Sequence, residues 1–455
     1  MTDFSGLAIA GRLATPNDAD WDQARQAWNL AADQRPSAVA FAESGDDIAA
    51  VVRFAAKNGL RVSGQATGHG AVALGSLEDA ILIKTERMRG IEVDAGAQTA
   101  RVEAGVLSVE LAEAAQQHGL SGLPGSSPDV GVAGYHLGGG LSWFGRQYGF
   151  ACNRLRAIEL VTAEGEARTV DAEIEPDLFW ALRGGGGDFA VVIALHIDLV
   201  PVADAYGGAF IFPGAVGAEA VRIWRDWAAG VGENVTSVVR FLRPPDIPDV
   251  PEPLRGTPLL TIDGACIGSR EEGEAAFAPL LEIGEPMMNT FDQVPPAALC
   301  RIHMDPEQPV PGLGHHRVLR ELPDEAIEVF ASLAGPDSGT PLLLTEIRQL
   351  GGALARPDEN GGALSHLDAG FAMFGIGMPM TPELGQAIEA HHDRLHEAME
   401  PWAADGGYFN FAERPCDADA ILPADVCARL ADIKRQYDPD SRIIGSHAVS
   451  LDPAA

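Results

Sequence analysis

Gly64-Gln65-Ala66-Thr67-Gly68-His69-Gly70 is the first of three glycine-dense segments in this chain. The second runs Gly125-Ser126-Ser127-Pro128-Asp129-Val130-Gly131-Val132-Ala133-Gly134-Tyr135-His136-Leu137-Gly138-Gly139-Gly140, and the third Arg183-Gly184-Gly185-Gly186-Gly187-Asp188-Phe189. Each glycine in a fold costs conformational entropy, so three such loops among apolar runs and helical segments imply a need for bare backbone. Consecutive exposed amides form a concave anion site suited to a pyrophosphate. A histidine inside such a loop, His69, is expected against a bound cofactor rather than in a core. The chain reads as a cofactor enzyme.

At 455 residues the chain exceeds the usual reach of one hydrophobic core, so more than one domain is expected. Its apolar fraction of 46% and mean hydropathy of +0.02 are those of a folded globular protein. With 32 basic and 65 acidic residues, the net charge of −33 argues against nucleic acid or an anionic membrane as partner. Five cysteines (Cys152, Cys266, Cys300, Cys416, Cys427) contain no CxxC pair, which fits neither a disulfide framework nor a zinc site. Residues 1–20 lack the basic-then-apolar pattern of a leader, and no apolar run approaches the ~20 residues needed to span a bilayer. A cytoplasmic protein is expected.

Three regions follow from the texture. Residues 1–205, with a core at about 36–202, read as mixed α/β: a helix over Asp46–Asn58 stopped by Gly59, a short strand at Leu60–Ser63 entering the first glycine loop, and strands at Arg156–Ala163 and Ala190–Pro201. Residues 206–405 alternate strand-like runs, such as Leu342–Gln349 and Ala369–Gly377, with helices such as Ala218–Ala229 and Pro382–Met399. That pattern predicts a large antiparallel sheet backed by helices, roofing a cofactor held by the first region. Residues 406–455 carry Tyr408-Phe409-Asn410-Phe411, a helix over Ala424–Tyr437 and Asp438-Pro439-Asp440, and are expected to return to the first region. The overall fold class is α+β.

Gly131-x-x-Gly134-x-x-x-Gly138 also invites a Rossmann reading, with Glu159 about where a ribose-binding acid belongs. A Rossmann loop should follow the first strand of its domain, whereas this one lies deep within it and a second glycine loop precedes it. Spaced glycines alone are weak evidence.

Taken in order and spacing, the Thr67–Gly70 loop, the Val130–Gly140 run, Arg183–Phe189, Tyr408-x-Asn410 and Asp438-Pro439-Asp440 resemble the FAD-linked oxidoreductases of the vanillyl-alcohol oxidase/p-cresol methylhydroxylase (PCMH-type) superfamily, and more closely its berberine-bridge-enzyme-like branch. The resemblance implies a PCMH-type FAD-binding domain of two α/β subdomains plus a substrate domain. It implies that Ser63, Gly64, Gln65, Ala66, Thr67, Gly68, His69 and Gly70 wrap the pyrophosphate, with His69 bonded covalently to the flavin 8α-methyl. Gly125, Ser126, Ser127, Val130, Gly131, Gly134, Tyr135, Gly138 and Gly139 would line the isoalloxazine, Leu160 would approach the adenine end, and Tyr408 and Asn410 would hold the flavin from the tail. The implied reaction is hydride transfer from an alcohol, sugar or secondary-metabolite C–H to flavin N5, with dioxygen as acceptor.

Three departures stand out. Ser127 replaces the cysteine that gives many relatives a second tether, so attachment through His69 only is expected. Tyr135 stands where a histidine precedes the triple glycine, and Phe411 stands where several relatives carry a tyrosine base. Tyr135, with a pKa depressed by neighbouring donors, is therefore one candidate acid or hydrogen-bond donor. His366 and Asp368, alternating along an extended Leu364–Phe374, form a candidate base with its orienting carboxylate. His315 and His316 read as polar residues on a sheet edge, and Glu346 with Arg348 as a solvated strand face. No His/Glu spacing resembles a metal motif. The expected partner is a small-molecule substrate. Two rivals remain at this level: a flavin-containing metabolite binder with little turnover, and a dehydrogenase using another acceptor or a nicotinamide.

Overall fold

The computed structural model describes residues 2–248, 250 and 252–451. Its strands group into three sheets. The first has four strands in the order Arg12–Ala14, Ala38–Phe41, Ala80–Lys84, Arg61–Gln65, the last three mutually parallel. All five residues of Ala80–Lys84 are buried, the continuous apolar run expected of a strand covered on both faces. The helix Gly45–Lys57 packs Ile48, Val51, Val52 and Ala55 into that core. It starts where the Ser44 hydroxyl accepts the Asp47 N–H, and the chain leaves it through Gly59 at φ +68°.

The second sheet is antiparallel, in the order Ile91–Asp94, Thr99–Glu103, Val191–Asp198, Leu155–Val161, Ala167–Asp171. Leu160 lies in this sheet, fully buried in its core with Phe179 and Leu195, and does not face the cavity described below. Glu159, the Rossmann candidate, is tied to Arg101 and His196 across the same sheet, which accounts for its place in the sequence.

The third sheet is antiparallel with eight strands. Its path is Met288–Asn289, Ala205–Pro213, Leu259–Cys266, Val235–Leu242, Leu344–Gln349, Phe371–Gly377, Leu313–Leu319, and Asp292–Val294 pairs beside Ala205–Pro213. Period two divides its side chains. Phe210, Phe241, Ile262, Ile347 and Met373 pack against Trp224, Phe277, Phe330 and Leu395 of the covering helices. Arg240, Asp263, Glu346 and Arg348 occupy the opposite face, and Arg240 and Glu346 are cross-strand partners. The region expected as a regular strand over Leu364–Phe374 is irregular as far as Gly370, and the strand begins at Phe371.

The tail reaches back to the first two sheets. Ile443 bridges Val62, and the Ile444 N–H donates to the Val62 carbonyl. Lys434, fully buried, sits 2.8 Å from Asp438 and 3.2 Å from Asp188. Asp188 closes the third glycine segment and also accepts the N–H groups of Gly445 and Val449. A buried lysine is tolerable only when paired this completely. The motifs Arg183–Phe189 and Asp438-Pro439-Asp440 thus meet in one structural lock.

Candidate active site

A cavity of about 430 Å³ lies between the glycine loops and the polar face of the third sheet. That size is ordinary for a ligand site. Ser63 to Gly70 form one wall, following directly from the parallel strand Arg61–Gln65. Gly125, Ser126, Ser127, Val130, Gly131, Gly134, Tyr135 and Gly138 form another, and Tyr408 to Glu413 close it from the tail. The second glycine segment is not wholly extended: Val132–Leu137 is a short helix, so His136 turns inward and its Nδ1 lies 2.8 Å from the Val132 carbonyl oxygen. Gly139 supports this wall from outside the lining, packed under Leu364 and Tyr408.

The two loops touch so closely that side chains would part them. A Cβ on Gly131 would meet the Ala66 Cβ at 2.7 Å, and one on Gly138 would collide with the Asn410 amide. Asn410 donates from Nδ2 to the Tyr135 carbonyl at 2.9 Å, and the Tyr408 hydroxyl accepts the Leu141 N–H at 2.6 Å. These bonds fasten the tail to the glycine segment.

The loop carries polar atoms that a protein partner does not satisfy. Both amide atoms of Gln65 are buried without a hydrogen bond, and Nε2 of His69 has only the Asp129 carboxylate, 3.4 Å away. Buried unsatisfied polar atoms beside bare backbone are expected where a polar ligand completes them. The residues present fit an FAD: amides and Gln65 for its phosphates, an imidazole at the wall, and an aromatic-lined end. His69 is stacked on Trp28, ring centroids 4.0 Å apart, with Nδ1 2.8 Å from the Thr67 hydroxyl oxygen.

The opposite wall is built by the sheet. Leu344, Phe374, Ile376, Met378 and Phe411 supply apolar surface, and Glu346, Arg348 and Glu413 supply charge. Glu346 and Arg348 are therefore cavity residues, not the solvated face that their alternation suggested. Arg348 donates to Glu346 at 2.5 Å, reaches Ser126 Oγ at 3.3 Å, and stands 5.0 Å over the Phe411 ring. Behind it, His303 places Nε2 3.0 Å from Arg348 and Nδ1 2.5 Å from Asp263, which pairs with Arg240 at 2.8 Å. Burial pushes the Glu346 carboxyl up, but Arg348, His303 and Arg240 together hold it below its ordinary value. Asp263 is likewise brought to about 2 by Arg240 and His303 against its burial.

Glu413 is different. Its Oε2 is buried without a hydrogen bond, and burial pushes the carboxyl up to about 7, opposed by the backbone N–H of Gly314. Tyr135 lines the cavity with its ring, but its hydroxyl donates to the Leu123 carbonyl at 3.1 Å. Burial drives that phenol well above its usual value, the reverse of the depression expected from the sequence. His366 is half-buried and Asp368 exposed, in the irregular segment before Phe371, and neither lines the cavity. A base from this pair has no geometric support. Arg240, Asp263, His303 and Glu413 escaped the sequence reading. Their signal was charge inside otherwise apolar runs, as in Val238-Val239-Arg240-Phe241 and Leu260-Thr261-Ile262-Asp263.

Among the described residues no cluster of three or more His, Cys, Asp or Glu is arranged to hold a metal, and no helix is long and apolar enough to cross a membrane.

Comparison with known proteins agrees with this geometry. A family described as FAD binding domain matches residues 36–171. (R)-6-hydroxynicotine oxidase of Paenarthrobacter nicotinovorans is 27% identical over 470 residues, covering 98% of each chain. Glucooligosaccharide oxidase of Sarocladium strictum is 34% identical over 175 residues, 38% of this chain and 35% of that one. The crystal structure of 6-hydroxy-D-nicotine oxidase from Arthrobacter nicotinovorans superposes with a TM-score of 0.83 at 23% identity over the whole of both chains. BBE-like 1 of Physcomitrella patens gives 0.85 at 18% identity over 97% of each. The chain shares the fold of these two solved proteins. It is an FAD-dependent oxidoreductase.

Proposed function

We propose that this enzyme is an oxidase carrying FAD on a single covalent bond to His69, and that it oxidises the C–H of a compact amine or alcohol, with dioxygen as acceptor. The observation that carries the reading is the two-sided cavity: unsatisfied Gln65 beside His69 on one wall, and Glu413 with Phe374 and Phe411 on the other. Bound FAD supplies the two-electron acceptor. The protein's part is to place the substrate and to take its proton. Glu413, poised near neutrality, is the group suited to accept a proton from the substrate nitrogen or oxygen. Arg348, braced by Glu346 and His303, orients polar atoms at the same wall. The apolar lining of Leu344, Ile376 and Met378 suits a small, partly apolar body better than an oligosaccharide. The names of the similar oxidases support dioxygen as acceptor, and Ser127 supports the single tether, since a hydroxyl is rarely ionised near neutral pH. A screen of amines and alcohols coupled to peroxide detection tests the reaction. Acid precipitation with peptide mapping tests the tether: colour retained on the His69 peptide supports it, and free FAD rejects it.

A further inference from the structure

The surroundings of His69 are more built than flavin contact alone requires. Asp129, within the second glycine segment, turns its carboxylate toward the first loop. Its Oδ2 accepts the Trp28 indole N–H at 2.5 Å. Its Oδ1 stands 3.4 Å from His69 Nε2, and the Ser127 hydroxyl lies 3.4 Å from that same oxygen. Trp28 completes the ring of contacts by stacking on the imidazole at an interplanar angle of 17°. Backbone bonds from Trp28 N–H to the Thr67 carbonyl and from Asn29 N–H to the Gly68 carbonyl fix Trp28 to the first loop. The imidazole is thus held between an indole face, a hydroxyl at Nδ1 and a carboxylate at Nε2.

We propose that Asp129, held by Trp28, is the positioning residue and proton acceptor that makes His69 the nucleophile for flavin attachment. The inference rests on the single-tether reading above. A neutral imidazole keeps one N–H, and a carboxylate facing Nε2 favours the proton there, which leaves the lone pair on Nδ1, the nitrogen that must exchange the Thr67 hydroxyl for the flavin carbon. In the attachment step a bond forms between that nitrogen and the flavin 8α carbon. One C–H bond at the 8α carbon and the imidazole N–H bond break. Asp129 receives the imidazole proton and passes it on, the electron pair goes to the isoalloxazine ring, and both protons end on the reduced flavin. Dioxygen then takes the pair with two protons as hydrogen peroxide, restoring the oxidised ring on its tether. The carboxylate is suited to the role. Although burial pushes it up, the contacts with His69 and Trp28 hold it below the ordinary range, so it is ionised at neutral pH.

The test uses the full-length holoprotein as wild type, Asp129→Asn, Asp129→Glu and Trp28→Phe. Two quantities are read for each: FAD bound to the native protein, and the fraction that stays with acid-precipitated protein after a fixed incubation with excess FAD in air. Asp129→Asn should bind FAD yet attach it more slowly, on the order of 10²-fold for loss of a positioned proton acceptor. Asp129→Glu should restore much of the attached fraction, and Trp28→Phe, which keeps an aromatic stack but loses the indole N–H, should fall between. Attachment in Asp129→Asn as fast as in wild type overturns the role of Asp129 while leaving the tether intact. Equal failure in Asn and Glu variants with FAD binding also lost makes Asp129 a loop brace and overturns it too. Wild type that releases all of its flavin overturns the tether itself and this inference with it.

Discussion

The Tyr135 hydroxyl donates to the carbonyl oxygen of Leu123, so this phenol is consumed by the backbone behind the cavity wall. Its ring packs with Leu123, Trp143 and Phe144, and its burial favours the neutral form far above physiological pH. Tyr135→Phe should therefore leave anaerobic flavin reduction within a few-fold of wild type. It should cost about 1 kcal/mol of stability, the typical worth of one hydrogen bond. A large fall in the reduction rate with unchanged thermal midpoint would give the hydroxyl a chemical role that this geometry does not support.

Glu413 should write its titration into the kinetics. The carboxyl is pushed up to about 7, so it is protonated and unable to accept a proton below that pH, and ionised above it. Flavin reduction in the substrate complex should rise with pH through this region. In Glu413→Gln the limb should vanish and the rate should fall by roughly 10²–10⁴-fold. The linkage runs the same way: a carboxyl raised in the fold contributes stability fully present below the unfolded value of 4.5 and lost as pH rises through about 7. Glu413→Gln should thus lose less stability than wild type between pH 5 and pH 8 in thermal melts. An unchanged pH–rate profile in the glutamine variant removes Glu413 from the chemistry.

Gly131→Ala tests the contact between the two glycine loops. The added methyl would lie 2.7 Å from the Ala66 Cβ, well inside van der Waals contact, so one loop must shift. Overpacking of this kind costs about 1–3 kcal/mol. Because both loops line the cavity, the loss should fall on FAD retention more than on the fold. Equilibrium dialysis of the as-purified variant after His69→Ala, which removes any tether, should show weaker FAD binding than His69→Ala alone. Equal affinity in the two proteins would mean that the loops adjust freely.

The glycine segments made the cofactor wall legible because their signal is local: no other residue permits such close backbone approach, as at Gly131 and Ala66. The wall built by the third sheet was not legible in the same way. Alternation correctly put Glu346 and Arg348 on one strand face, but which face meets solvent depends on what covers it, and here the glycine loops and the tail cover it across the cavity. Hence a pair expected in water proved to be inside. His366 and Asp368 misled for the opposite reason: alternation was assumed to continue through a segment whose backbone is irregular until Phe371. Glu413 carries no pattern at all, since its burial arises from Gly314 and Phe374 about a hundred and about forty residues away.

The histidines of the outer strand and its covering helix should make the protein lose stability in acid. His315 stacks on His396 with ring centroids 3.7 Å apart, and His392 lies 6.0 Å from His315. Arg317 and Arg414 face the same group, each partly neutralised from outside, Arg317 by Glu400 and Arg414 by Glu389 and Asp393. Burial first, and then these neighbouring cations, push His315, His392 and His396 down, His392 to about 4. His316, on the same strand, is also brought to about 4 by burial, while its Nε2 accepts the Tyr408 N–H at 2.9 Å. A histidine depressed in the fold binds more protons when unfolded, so stability is fully present above the unfolded value of 6.5 and is lost as pH falls toward about 4. For His392 alone the loss by pH 5 is about 2 kcal/mol, and the cluster adds to it. Because the tail hangs on His316 through Tyr408, acid should loosen the wall holding Asn410 before the whole chain unfolds. His396→Phe keeps a flat ring against His315 and removes one titrating group. Its thermal midpoint should fall less than that of wild type between pH 7 and pH 5, and identical slopes for the two proteins would show that these rings do not govern the acid response.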